Sequence, residues 1–496
     1  MRASEGSTLL EQLCGWASRL ELGDVPDRVV AYAQSQVLSQ LAAARAGLMH
    51  PLGTLVQQAF GSPLQTDAAR AACALSGLTP WLYFDDTSYA GHLSNSTVTV
   101  PLSYARVHQL DGRALLEAVI AANECAARIT AAVSLSPFRG QNSPHTHLAG
   151  AIAGRMSSER APAEQWASAF GIAFSLPPWP SLHGFISSDA RVLSALSPVR
   201  SGLDACDAAL AGLRGQPNIL EHPDGFLQRF ATVPVPEAVV AGLGSLWHTE
   251  TLSFEVQPGG PVHDAAVDCA REIHRTAGPI DPEDVDEVVI KTSLYTILVD
   301  RKAGDYLAGP QSPIGALMFS GGYLVATALL TGGLTTGDFA HPEVDDPRRW
   351  RLAAKVRLEQ DDGMTRASFR CVVPFGETLR LAGDRATPWL QKLGGPWLVD
   401  LVGQLPAPST SFEDAEKVRP ARVSVRFRDG RTVEHEVWNA SGSAGAATRA
   451  THEQLVRDKF LSTDGNKQVA DIAADLVHAD ADDVGFMCSS ALDLTQ

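Results

Sequence analysis

Basic residues are in short supply: 40 Lys and Arg stand against 56 Asp and Glu, for a formal net charge of −16. Nucleic-acid binding rests on a basic footprint, so no nucleic-acid partner is expected. A locally basic pocket inside an acidic shell can still hold a carboxylate, because the local field outweighs total charge. Cysteine is also sparse: Cys14, Cys73, Cys125, Cys206, Cys269, Cys371 and Cys488 are odd in number and widely spread, with no C-x-x-C pair. A disulfide framework, a structural zinc site and a local iron–sulfur motif have no pattern to rest on. Reduced thiols in a cytoplasmic protein are expected. Internal repeats and low-complexity tracts are absent. The opening "MRASEGSTLLEQLCGWASRL" carries acidic and polar residues inside its apolar stretch and is not expected to be a signal peptide. One long uncharged run spans Tyr306 to Gly337, interrupted by Pro310, Pro313 and several glycines. Its helical part is short for a bilayer, so a buried core helix is expected and no membrane partner.

What is present is a globular composition, 45% hydrophobic and 19% charged over 496 residues. That length exceeds one ordinary core, and two domains are the default. Up to about residue 250 the patterns are helical. Leu9, Leu10, Leu13, Trp16, Ala17 and Leu20 share a face, Ala-rich helices follow, and Asp111 precedes "GRALLEAVIAANECAARITAAV" as an N-cap. The texture then changes. "VDEVVIKTSL", "WRLAAKVRLEQ" and "ASFRCVVPF" read as strands, and "ARVSVRFRDGRTVEHEVW" as a hairpin around Asp-Gly. Helical pattern returns after about 441. The expected fold is mainly α: an all-helical domain of 1–252 plus 441–496, with an inserted, smaller α+β lid domain at 253–440. An irregular insertion is expected within the lid at about 378–418.

The chemistry-bearing stretch is "YFDDTSYAGH", residues 83 to 92. Asp85 and Asp86 can cap a helix or orient neighbouring groups. His145 and His147 form an H-x-H pair, a spacing that suits a metal on a strand, but no third ligand lies nearby and no metal is expected. Arg128 stands four residues after Glu124, the spacing of a helical ion pair.

Several segments, in order, resemble the MmgE/PrpD family, which includes 2-methylcitrate dehydratase and cis-aconitate decarboxylase. They are "FDDTSYAGHLSNSTVTVPLSYA", "DGRALLEAVIAANECAARI", "PHTHLAGAIAG", "SGLDACDAALAGLRGQPNILEHPDGF", "GALMFSGGYLVATALLTGG" and "HEQLVRDKF". The resemblance implies a helical domain with a lid, a cleft between them, a homodimer, and no metal, nucleotide or cluster. It implies that Thr87 donates to a substrate oxygen and that His92 shuttles a proton or partners a carboxylate. His145 or His147 takes the place of the second family histidine, with His145 preferred, and Tyr323 that of the lid tyrosine. Asp85 and Asp86 would orient these groups. The departures concern the anchors. Tyr83 stands where the family motif opens on aspartate, Arg191 falls on a family lysine, and Glu255 falls near another, where it would repel a carboxylate. His263 holds a family position with a structural role open to it. The expected function is therefore a cofactor-independent lyase, dehydratase or decarboxylase. It would act by proton transfer beside a carboxylate or carbonyl of a small organic acid or related metabolite, other than methylcitrate or cis-aconitate. An isomerase or epimerase using the same acid/base residues, and a non-catalytic ligand-binding member, are the alternatives.

Overall fold

The computed structural model describes residues 6–89, 91–137, 142–278 and 280–494. Residues 1–5 of the N-terminal stretch and Ala90 of the "YFDDTSYAGH" segment lie outside them. The chain is mainly helical, with a small sheet in its second half.

Capping side chains start many of the helices. Thr8 and Glu11 close a reciprocal capping box on Leu9–Ala17. Asp111 caps Gly112–Val133 as expected, accepting from Ala114 N at 2.9 Å. That 22-residue helix is the buried axis of the first half, with nearly every residue from Leu115 onward in the core. Asn142–Ser158 packs along it, and small residues set the spacing. On another side it meets the short helix Ser94–Thr97, where a Cβ at Gly150 would lie 2.4 Å from Ser96 Oγ. Arg128 pairs with Glu124 at 3.5 Å and donates to Leu246 O at 2.8 Å. Glu124 in turn accepts from Thr249 N at 2.9 Å, so the buried ion pair pins the chain at 246–249. The C-terminal segment returns to helix Asp27–Met49: Arg45 donates to Thr463 O and Ala491 O at 3.0 and 2.8 Å.

β1 (Thr87–Ser88) and β2 (Gly91–His92) pair antiparallel as a hairpin. The larger sheet holds β3 (Val285–Thr292), β4 (Val356–Gln360), β5 (Ala421–Phe427) and β6 (Thr432–Val437) in the order β4-β3-β5-β6. β4 runs parallel to β3, and the other pairs are antiparallel. Alternation directs one face inward: Val285, Val288 and Ile290 of β3 and Val423 and Val425 of β5 are buried. Helix Asp264–Ala277 packs against β5 and β6, and helix Gly321–Thr331 packs against it and β4. The latter is the helical part of the uncharged run. No helix among the described residues is long and apolar enough to cross a membrane.

Two expectations change here. "ASFRCVVPF" is not a strand: residues to Arg370 belong to helix Asp362–Arg370, capped by Asp361 at Met364 N. A short apolar run does not distinguish strand from helix, and the cap upstream decides. Likewise, much of 378–418 is ordered helix, Gly376–Ala382 and then Thr387–Val402. Gly395 (φ 72°) and Pro396 break the second helix and hide its period in the sequence. The chain beyond Gly403 carries no regular element until β5.

Candidate active site

The hairpin after the buried helix Ala68–Leu78 presents the site. Thr87 N donates to Ser253 O at 3.0 Å and Ser253 N to Thr87 O at 2.9 Å, clamping the hairpin to the segment entering the sheet-bearing half. Gly91 meets the helix of His145 and His147 so closely that a Cβ would sit 2.7 Å from Thr146 Oγ1. These contacts fix the two neighbours Thr87 and His92, which are paired across the hairpin.

His92 is 13% exposed and its Nδ1 lies 3.1 Å from Asp85 Oδ2. Asp85 is fully buried, and Asn95 Nδ2 donates to the same oxygen at 2.8 Å. A carboxylate only accepts, so the proton belongs on Nδ1 and the Nε2 lone pair is left to act as a base. The ring stacks on Tyr83, centroids 4.1 Å apart. Tyr83 adopts φ 48°, a left-handed conformation that aims it across the imidazole.

Thr87 reaches into a buried cluster. Its Oγ1 donates to Glu255 Oε1 at 2.9 Å and accepts from Lys417 Nζ at 2.8 Å, and Lys417 lies 3.2 Å from Glu255. Asp264 is buried beside Glu255. Burial and the neighbouring Glu255 charge push Asp264 well above the carboxylate range. Burial opposes the Glu255 charge, but the Lys417 ammonium prevails and holds it below its ordinary value. Asp264 is therefore held neutral, and the trio of Lys417, Glu255 and Asp264 is neutral as a whole.

A cavity of about 160 Å³ opens in front of these groups, between the hairpin and the sheet-bearing half. Thr87, His92, Tyr83, Ser134 and Ser143 line it from the first half, and Tyr295, Lys302 and Arg419 from the second. Phe185, Ile186, Phe319 and Phe375 make much of its wall apolar. Arg419 is 9% exposed, its Nε has no hydrogen-bond partner, and its guanidinium lies 5.3 Å over the Tyr295 ring. Lys302 is on helix Leu294–Gly304, and burial lowers its pKa. Two cations, an imidazole held by a carboxylate, and hydroxyls in an apolar recess are an arrangement that can hold an anion and offer it a base. Among the described residues, no three His, Cys, Asp or Glu side chains are placed to hold a metal ion.

The other expected site residues divide. His145 and His147 sit on a helix rather than a strand, so residues two apart point some 200° apart and cannot share a ligand. His145 lies in an aromatic cage of Phe226 and Phe230 at 4.8 and 4.9 Å, with Nε2 3.1 Å from Pro178 O, and does not line the cavity. His147 is one step behind the cavity: its Nε2 is 3.1 Å from Ser143 Oγ. Burial lowers His145 to about 4, while burial and then His92 lower His147 to about 3. Tyr323 is outside the site. Its hydroxyl donates to Asp338 O, and its ring packs on Trp350 and Phe339, because its helix turns that face toward the Arg349–Asp338 ion pair. Asp86 also faces away, accepting from Ser39 Oγ at 2.5 Å with Lys459 Nζ 3.8 Å off. Arg191 stands behind the cavity wall, fully buried, with no nitrogen hydrogen-bonded. Tyr83, Phe185 and Phe319 surround its guanidinium at 4.0, 4.8 and 5.5 Å. Glu255 does not meet a ligand as a bare anion, since Lys417 neutralises it. His263 is structural, its Nε2 3.0 Å from Phe319 O.

Sequence reasoning missed Lys417 and Arg419. Their signal was a basic pair two apart in extended chain, which places both on one face. Lys417 fell at the end of the segment read as an irregular insertion, and Arg419 just beyond it.

Two expected results follow from these placements. Tyr323→Phe removes one buried hydroxyl and should cost about 0.5–1.5 kcal/mol of stability. Urea unfolding would measure that cost, and turnover should stay within a few-fold of wild type. The buried histidines set a pH slope. Both have folded pKa values below the unfolded 6.5, so the unfolded chain takes up protons first as pH falls. Their contribution is intact above pH 6.5. It declines by about 1 kcal/mol per pH unit per histidine as pH falls toward 4. The unfolding midpoint should drop between pH 7.5 and 5, and His145→Gln should flatten that drop.

A family model of the MmgE/PrpD N-terminal domain matches residues 11–238, and one of the MmgE/PrpD C-terminal domain matches residues 262–380. The search of curated proteins found no match.

Proposed function

The chain belongs to the MmgE/PrpD family, which includes dehydratases and decarboxylases, and from that premise we propose that it is a lyase. Its substrate is a small organic acid, and its reaction moves a proton at a carbon beside the carboxylate or carbonyl. One observation carries the reading: a single cavity brings together His92, oriented by Asp85, and the cations Arg419 and Lys302.

In this reading the carboxylate lies against Arg419, whose fork suits bidentate contact, and near the Lys302 ammonium. Nε2 of His92 takes the proton from the adjacent carbon, and the two cations offset the enolate charge that develops. The Asp85 carboxylate stabilises the imidazolium formed. Ser143, with His147 behind it, offers a hydroxyl for proton return or for the departing group. Apolar walls exclude water and strengthen each of these interactions. The mechanism invokes no metal or organic cofactor.

The test is incubation of the protein with a panel of small hydroxy, unsaturated and dicarboxylic acids, followed by mass spectrometry. Loss of water or carbon dioxide from one class supports the lyase. Conversion without change in mass would contradict it and favour an isomerase. Arg419→Met should raise KM about 10- to 100-fold while kcat changes little, since a charged hydrogen bond contributes roughly 1.5–3 kcal/mol.

A further inference from the structure

The cluster behind Thr87 determines what that hydroxyl can offer a ligand. A threonine hydroxyl has one proton and two lone pairs. The proton is directed to Glu255 Oε1 at 2.9 Å, and one lone pair accepts from Lys417 Nζ at 2.8 Å. An ammonium is a donor only, so Thr87 cannot reverse the second bond. The carboxylate Oε1 cannot donate the first. What remains for the cavity, which Thr87 lines, is a single lone pair. Asp264 keeps the cluster in this state. Burial and then the Glu255 charge favour its neutral form, so it adds no second charge and Glu255 stays an acceptor matched to one ammonium.

We infer that Thr87 is a specificity determinant that accepts a hydrogen bond from a hydroxyl on the substrate, and that Lys417 and Glu255 are the positioning residues that impose this polarity. The inference rests on the organic-acid reading of the cavity and narrows it to hydroxy acids. It reverses the role expected for Thr87, that of a donor to a substrate oxygen. A carboxylate or keto oxygen facing Thr87 would set lone pair against lone pair, which directs the carboxylate to Arg419 and Lys302 instead. An amine is not recruited by Glu255, because Lys417 already balances that charge.

The experiment is calorimetric binding of two matched series: malate, succinate and oxaloacetate, and 3-hydroxybutyrate, butyrate and acetoacetate. Wild type should bind the hydroxy member of a series about tenfold or more tighter than its deoxy member, and the keto member should be weakest. Thr87→Val should bring the hydroxy acid to the affinity of the deoxy acid. Lys417→Met alone leaves Glu255 buried and unmatched, so the informative variant is Lys417→Met with Glu255→Leu, which removes both charges and the acceptor that holds the hydroxyl proton. There the freed hydroxyl can donate, and the preference for hydroxy over keto should shrink several-fold. A purely structural role for the cluster would weaken all three ligands alike and leave the ratio unchanged, overturning the inference. Equal wild-type binding of hydroxy, deoxy and keto acids would also overturn it while leaving the lyase reading intact. Binding of no member of either series would overturn both.

Discussion

Replacing His92 with alanine should lower kcat by about 10²- to 10⁴-fold, the usual contribution of a positioned general base. Binding should change far less, because the proposed carboxylate anchors, Arg419 and Lys302, are separate from the imidazole. Asp85→Asn should show the same division in milder form. The asparagine amide can donate to Nδ1 and so stabilise the tautomer that has lost its lone pair at Nε2. Steady-state kinetics on the substrate found in the panel, with the fold checked by circular dichroism, would measure both. A His92 variant that keeps most of its kcat would remove the imidazole from the mechanism. Attention would then pass to Ser143 and His147.

The second large effect concerns stability. Lys459 is fully buried with Nζ 2.7 Å from Ser39 Oγ and 2.5 Å from Phe84 O, and it faces Asp86. Removing one member of a buried ion pair leaves the other uncompensated, at a cost of about 3–5 kcal/mol. Lys459→Met should therefore be severely destabilised. Asp86→Asn together with Lys459→Met should recover a large part of the loss, because the double change removes both charges. The pH dependence gives a further check. Burial already raises Asp86 to about 7, above its unfolded value of 3.8, so the folded state favours its protonated form. The penalty for Lys459→Met is then smallest near pH 5 and grows as pH rises through 7. Denaturant midpoints of the single and double variants at pH 5 and 8 would show whether the deficit follows that course.

Lys459 also illustrates what a motif match conveys. The C-terminal Lys-Phe segment was legible, yet its lysine closes the back of the hairpin and never reaches the cavity. Likewise, "FDDTSYAGH" was readable as the site's rim, but its two aspartates have opposite duties. Asp85 turns toward His92 and Asp86 toward Ser39. Tyr323 and His145 matched motifs by position. A motif fixes where a residue falls along the chain, while helix rotation decides which way its side chain points. Lys417 was not legible by such means: it meets Thr87 from 330 residues away. A mainly α fold with a small α+β part was plain in the periodicities. The Asp429-Gly430 hairpin and the Asp111 cap were local signals that needed no tertiary help. Helix Thr387–Val402 was hidden by its own Gly395-Pro396 break.

The central claim is that His92 exchanges a proton with carbon beside a carboxylate held by Arg419 and Lys302. The direct measurement is deuterium uptake into carbon when the protein and its best-bound organic acid are incubated in D2O, read by mass spectrometry and NMR. Wild type should label the carbon adjacent to the carboxylate or carbonyl in substrate or product, and His92→Ala should bind the acid without labelling it. Labelling that persists at the wild-type rate in His92→Ala, or turnover by wild type with no label at that carbon, would contradict the account.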